Sequence, residues 1–149
     1  MLVAIDSSQA YNTTRASDWR FRTYTPVLRQ STKHRRRTLF EEALAAIARD
    51  FGDETLSLAA VAHTIATSRR QLQRVFAEQG TSFRHELQRV RMSHAAELLS
   101  SGTLPVASVA RAVGYRQAAQ FSKAFRRHHG HPPSVARTRG QAEGSALAA

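Results

Sequence analysis

PVASVARAVGYRQAAQFSKAFRRHHGHPP, residues 105–133, decides the fold. Val106, Val109 and Val113 recur at helical spacing after Pro105, which suits a first helical turn, and Gly114 stops the run. A second helix follows, with Phe121 and Phe125 four apart and Gly130 at its end. Two short helices joined by a tight turn with a small residue, the second burying apolar side chains four apart, have the sequence shape of a helix-turn-helix. In that unit the second helix enters the DNA major groove. One such hairpin is a weak sign, because many helical hairpins look alike.

The chain carries a copy. In LSLAAVAHTIATSRRQLQRVF, residues 56–76, Ala62 and Ala66 correspond to Ala110 and Gly114 at an offset of 48. Leu72, Arg74 and Phe76 correspond to Phe121, Lys123 and Phe125 at an offset of 49, with the extra residue in the second inter-helix turn. With Leu72, Val75 and Phe76 inward, the opposite face shows Arg69, Arg70, Gln73 and Arg74. With Phe121 and Phe125 inward, the second copy shows Arg116, Gln120, Lys123 and Arg127 on one line. Arg forks onto guanine O6 and N7, and Gln onto adenine N6 and N7. Arg70, Gln73, Arg74, Gln120 and Lys123 are therefore the candidate base readers. Ser68, Arg69, Arg116, Gln117 and Arg127 are the candidate phosphate contacts, Ser68 and Gln117 acting beside the amides at the helix starts. Either face alone reads as ordinary solvated helix surface; recurrence at equivalent positions favours binding.

Outward from the repeat the chain reads as further helices. Thr38 and Glu41 form a capping box for a first helix that carries Phe40, Leu44, Ile47 and Phe51 before Gly52. Ser57 opens the second, with Leu56 and Val61 at staple positions, and Ser68 opens the third, which Gly80 ends. The fourth runs from about Ser82 to Ser100 with Phe83, Leu87, Val90, Ala95 and Leu98 along one stripe, closed by Gly102. Those 19 residues give roughly 28 Å at 1.5 Å per residue, near the ~34 Å between successive major grooves on one DNA face. Pro132 and Pro133 open a last short turn of helix. No stretch alternates as a strand, so the class is all-α. Residues 1–34 lack periodicity and read as an unstructured arm or a remnant, 35–139 as the helical DNA-binding domain, and 140–149 as a frayed tail.

Composition agrees. Lys and Arg number 22 against 11 acids, for a net charge of +11, and no carboxylate lies between Glu97 and Glu143. Such a field points to a polyanion, double-stranded DNA ahead of a membrane surface. The absence of cysteine excludes disulfides and thiolate chemistry. Met1 to Ile5 is too short for a signal-peptide core, and no run nears the ~20 apolar residues of a membrane span. The expectation is a cytoplasmic, nucleoid-associated protein that uses no cofactor. His128, His129 and His131 cluster at a helix end, where they suit its dipole better than a metal. No carboxylate pair, nucleophile elbow or phosphate-cradling loop suggests catalysis. The alternative is a nonspecific basic DNA- or RNA-binding protein, whose aromatics would stack on bases; here Phe76, Phe83, Phe121 and Phe125 take core positions instead.

From about Leu56 to Arg137 the chain resembles the DNA-binding domain of the AraC/XylS family of bacterial transcription factors. The resemblance rests on residues 56–76, on RMSHAAELL and on residues 106–134, with Gly114, Phe121, Ser122, Phe125, Gly130 and Pro133 where the family pattern wants them. It implies seven helices, two helix-turn-helix subdomains joined by a long helix, and activation through contact with RNA polymerase. The family's base-contacting positions fall on Arg70, Gln73 and Arg74, then on Ala119, Gln120 and Lys123. Three departures stand out. Ala66 replaces the usual glycine of the first turn, tolerable if that turn avoids positive φ. Ala118 and Ala119 leave the second recognition helix poor in hydrogen-bonding groups. Val135 and Ala136 lack the family's frequent aromatic. Most members add a domain that binds an effector and dimerises. Residues 1–34 are too few for such a β-barrel, so the expectation is a stand-alone monomer or a fragment of a longer regulator.

Overall fold

Three serines start three helices. Ser57, Ser68 and Ser82 sit in extended backbone, and their hydroxyls accept from the amides of Ala60, Gln71 and His85 at 3.2, 3.1 and 3.2 Å. Each satisfies one of the amide donors that a helix start leaves without an intrahelical partner. The computed structural model describes residues 25–147, and among them the element order is α1 (Thr25–Asp50), α2 (Leu58–Thr64), α3 (Arg69–Glu78), α4 (Phe83–Ser100), α5 (Val106–Ala112), α6 (Ala118–His129) and α7 (Pro133–Leu147). The described residues contain no strand. The expected disorder of 1–24 lies outside them.

The two ends depart from expectation. Thr38 is not a cap: α1 already runs from Thr25, and the Thr38 hydroxyl donates back to the His34 carbonyl at 3.2 Å. Residues 25–34 are thus helical rather than an unstructured arm. Residues 25–37 carry no apolar stripe at helical spacing, so hydrophobic periodicity could not register them. At the other end α7 continues to Leu147 where a short turn and a frayed tail were expected. Pro105 is the N-cap of α5 rather than its first helical residue.

α4 serves two cores, one for each repeat. Towards its start Leu87 joins Ala43, Ala46 and Ile47 of α1, Val61 and Ala62 of α2, and Leu72 and Phe76 of α3. Further on, Met92, Ala95 and Leu99 join Val109, Ala110, Val113, Phe121, Ala124 and Phe125. Phe83, Val90 and Leu98 of the expected stripe are only half-buried, while Met92 and Leu99, absent from it, are fully enclosed. A helix packed on both sides has no single apolar stripe to read.

The two units close their first helices in the same way. After α2 the amides of Ala66 and Thr67 donate to the carbonyls of His63 and Ala62; after α5 those of Gly114 and Tyr115 donate to Arg111 and Ala110. Both are Schellman closures with the third-helix approach fixed by a left-handed residue. The first turn does not avoid positive φ: Ala66 has φ 50, the one non-glycine residue in that region among those described, against 78 for Gly114. Alanine is sterically admissible at 66, where the side chain is exposed. A Cβ at Gly114 would press on the Arg91 guanidinium and the Phe51 carbonyl. Left-handed backbone costs a non-glycine residue roughly 1–2 kcal/mol, more than the ~0.4–1 kcal/mol that glycine loses through the unfolded chain. Ala66→Gly is therefore expected to raise the melting temperature by a few degrees in a thermal melt; a fall would place Ala66 outside the left-handed region.

Candidate nucleic-acid interface

α3 and α6 each bury one face and leave the other open. Arg69, Arg70, Gln73 and Arg74 are all exposed on α3, as are Ala119, Gln120, Lys123 and Arg127 on α6. The clefts beside them show how they are disposed. Arg69 and Gln73 line a groove with Ser82, Phe83 and Arg84 at the start of α4. Gln120, Lys123 and Arg127 line a second groove with Arg84, Gln88, Arg91 and Tyr115. Arg84 borders both. The α3 cleft and the α6 cleft thus meet at the first turn of α4, where Arg84 stands. Ser68, Arg70 and Arg74 line a third cleft, towards Arg35 and Arg36 of α1.

Sequence reading missed Arg84. Arg84 was detectable in principle, since residues 84, 88 and 91 share one face of α4, but periodicity searches follow apolar residues and pass over such a line. Arg36 also bonds Glu78 at 2.9 Å, which ties α1 to the end of α3.

The structure corrects the expected line on α6. Arg116 precedes α6, which begins at Ala118, so it does not share the helical line of Gln120, Lys123 and Arg127. It pairs instead with Glu54 at 2.8 Å, and that hydrogen bond and charge hold its pKa above the usual guanidinium value. Gln117 is the N-cap of α6 but its side chain makes no capping bond, unlike that of Ser68 in α3. The first-turn amides of α6 are thus left without a side-chain acceptor, an arrangement suited to an anion.

A latch fixes the two units relative to each other. The Arg91 guanidinium donates to the carbonyls of Phe51 and Asp53, both at 2.8 Å, and lies over the Tyr115 ring at 5.5 Å. Phe51 stacks on His94 at 4.2 Å, and the Arg116–Glu54 pair closes the same seam. Burial lowers the pKa of Arg91 and raises that of Tyr115, so a guanidinium is held among carbonyls that satisfy it. Loop 51–55 of the first unit is thereby bound to the α5–α6 turn of the second. At 18 residues, α4 itself is about 27 Å long.

His129 and His131 gather round Phe125, with 4.7 Å between the rings of His128 and His129 and 6.1 Å between those of His129 and His131. His129 Nε2 lies 3.2 Å from the Met92 carbonyl. Among the described residues no group of three or more His, Asp or Glu is placed to hold a metal ion. No described helix is long and apolar enough to cross a membrane.

Comparison with known proteins bears on this geometry. Residues 61–139 match the model of a helix-turn-helix domain family. An uncharacterised HTH-type transcriptional regulator of Mycobacterium tuberculosis is 42% identical over 71 residues, 48% of this chain and 21% of that protein. The RCS-specific HTH-type transcriptional activator RclR of Escherichia coli is 40% identical over 83 residues, 56% of this chain and 28% of RclR. The chain thus spans under a third of the length of either relative. Among solved structures, the C-terminal domain of AraT, a response regulator from Geobacillus stearothermophilus, superposes with a TM-score of 0.64 at 37% identity, covering 67% of this chain and 84% of that one. Two matched helix-turn-helix units and a family model that reaches across both lead to one identification: the chain belongs to the AraC-type helix-turn-helix family of transcription regulators.

Proposed function

We propose that one chain reads two successive major grooves of double-stranded DNA, with α3 in one and α6 in the next, and so regulates transcription at a specific site. The observation that carries this is the place of Arg84, which borders the grooves beside both recognition helices. Arg70, Gln73 and Arg74 read bases in the first groove, Gln120 and Lys123 in the second. Ser68, Arg69, Gln117 and Arg127 hold phosphates; Arg116 does so only by exchanging Glu54 for the backbone. With alanines at 118 and 119, α6 discriminates less than α3. The α4 strut falls short of the ~34 Å groove repeat, and the latch prevents it from opening, so the DNA bends to meet both helices at a cost set by its sequence. The domain so used takes in 35–139 together with the part of α7 packed on α4. On this reading the chain activates through RNA polymerase in the cytoplasm, and its likeness to the activator RclR supports the sign of regulation.

Two substitutions separate the roles. Arg74→Ala costs about 1–3 kcal/mol at the cognate site and relaxes base choice at one position; competition binding against single-base variants measures it, and an undiminished preference contradicts base reading. Arg127→Ala weakens cognate and random duplexes alike and lowers the slope of log K against log salt by about 0.9. Weakening confined to one sequence contradicts the phosphate role.

A further inference from the structure

On the far side of the α6 cleft lies a second, smaller cleft, lined by His85, Gln88 and Arg89 of α4 and by Arg127 and His128 of α6. Gln88 and Arg127 belong to both clefts, and Arg127 Nη2 donates to Gln88 Oε1 at 3.4 Å, so this pair is the wall between them. Arg127, the candidate phosphate contact, thus stands between the cleft that holds Gln120 and Lys123 and this one. We propose that His85 and His128 form a proton-gated clamp for a DNA phosphate there, closing with Arg127 on the backbone as pH falls. This inference rests on the DNA-binding reading above.

The surroundings of the pair favour an anion as its missing partner. From α4, Arg84 and Arg89 flank His85; from α6, Arg127 and His129 flank His128. The nearby carboxylate is Glu86, and it is already engaged: Thr81 Oγ1 donates to it at 2.7 Å and Arg89 Nε at 2.9 Å. Its side chain is 12% exposed and does not line the cleft. Burial, then the positive charges of His129, His85 and Arg89, push the His128 pKa below the ordinary imidazole value. The free protein thus disfavours the protonated form of His128. A phosphate supplies the negative charge that reverses this, and the complex takes up a proton from the medium. The sign is fixed: affinity rises as pH falls through the imidazole range and levels off above it.

The full chain and a fluorescent 20-base-pair duplex of random sequence test this by anisotropy at pH 6 and pH 8 across a salt series. A rise of one unit in an imidazole pKa on binding corresponds to tenfold in affinity, so binding is expected to be about tenfold tighter at pH 6. The salt slope is expected to be about 0.9 steeper for each imidazolium engaged. The double variant His85→Gln/His128→Gln is expected to give a flat profile, each single variant an intermediate one, and His63→Gln, whose side chain is exposed in the last turn of α2, the full pH effect. Calorimetry of the unaltered protein in two buffers of different ionisation enthalpy reads the proton uptake without any variant. DNA binding with no proton uptake, or a pH effect that survives in the double variant or disappears in His63→Gln, overturns the clamp alone. Failure to bind DNA at either pH overturns the DNA-binding reading and the clamp with it.

Discussion

Leu72→Ala is expected to lower the unfolding free energy by about 2–5 kcal/mol. Leu72 is fully enclosed at the centre of the first core, where α3 meets Ile47 of α1, Val61 of α2 and Leu87 of α4. Truncation removes the transfer free energy of three carbons and leaves a cavity, because α1, α2 and α4 are held in place by contacts of their own and cannot collapse into it. The effect reaches function through geometry. α3 is the helix being anchored, so its reading face loses its fixed pose while the second core, around Phe121 and Phe125, keeps its packing. Chemical denaturation measures the loss; an unaltered midpoint would show that the inward face of α3 is misassigned.

Gly140→Leu is expected to cost about 3 kcal/mol or more. Gly140 is buried where α7 crosses the end of α4, and a Cβ there would fall on the Ser100 carbonyl, backbone rather than a yielding side chain. One residue on, Gln141 Nε2 donates to the Gly102 carbonyl at 3.2 Å, fixing the same crossing. Leucine favours helix over glycine by less than about 1 kcal/mol. The steric term wins, and α7 must lift from α4. A melting temperature equal to or above that of the parent protein would contradict the close approach.

How much of this was legible in the sequence differs from element to element. Helices α2, α3, α5 and α6 were readable because each pairs a cap or glycine stop with apolar residues at helical spacing, and because the copies at offsets 48 and 49 support each other. The reading faces followed from the buried ones, since a helix with Phe121 and Phe125 inward has little choice about Lys123. Two kinds of feature escaped. The extension of α1 back to Thr25 and of α7 to Leu147 lacks an apolar stripe, and Gly140, which looks like a helix stop, is instead the small residue that lets two helices touch. Relations between distant segments also escaped: the Arg91 latch onto Phe51 and Asp53, the Arg116–Glu54 pair and the central position of Arg84 depend on the fold and leave no local pattern.

Selection of bound duplexes from random DNA tests the pairing of α3 and α6 most directly. A single chain with both helices on one rigid side is expected to enrich two blocks of preferred bases, their centres about 10 base pairs apart at one fixed spacing. A single block, or two blocks whose separation varies freely among the selected sequences, would contradict it.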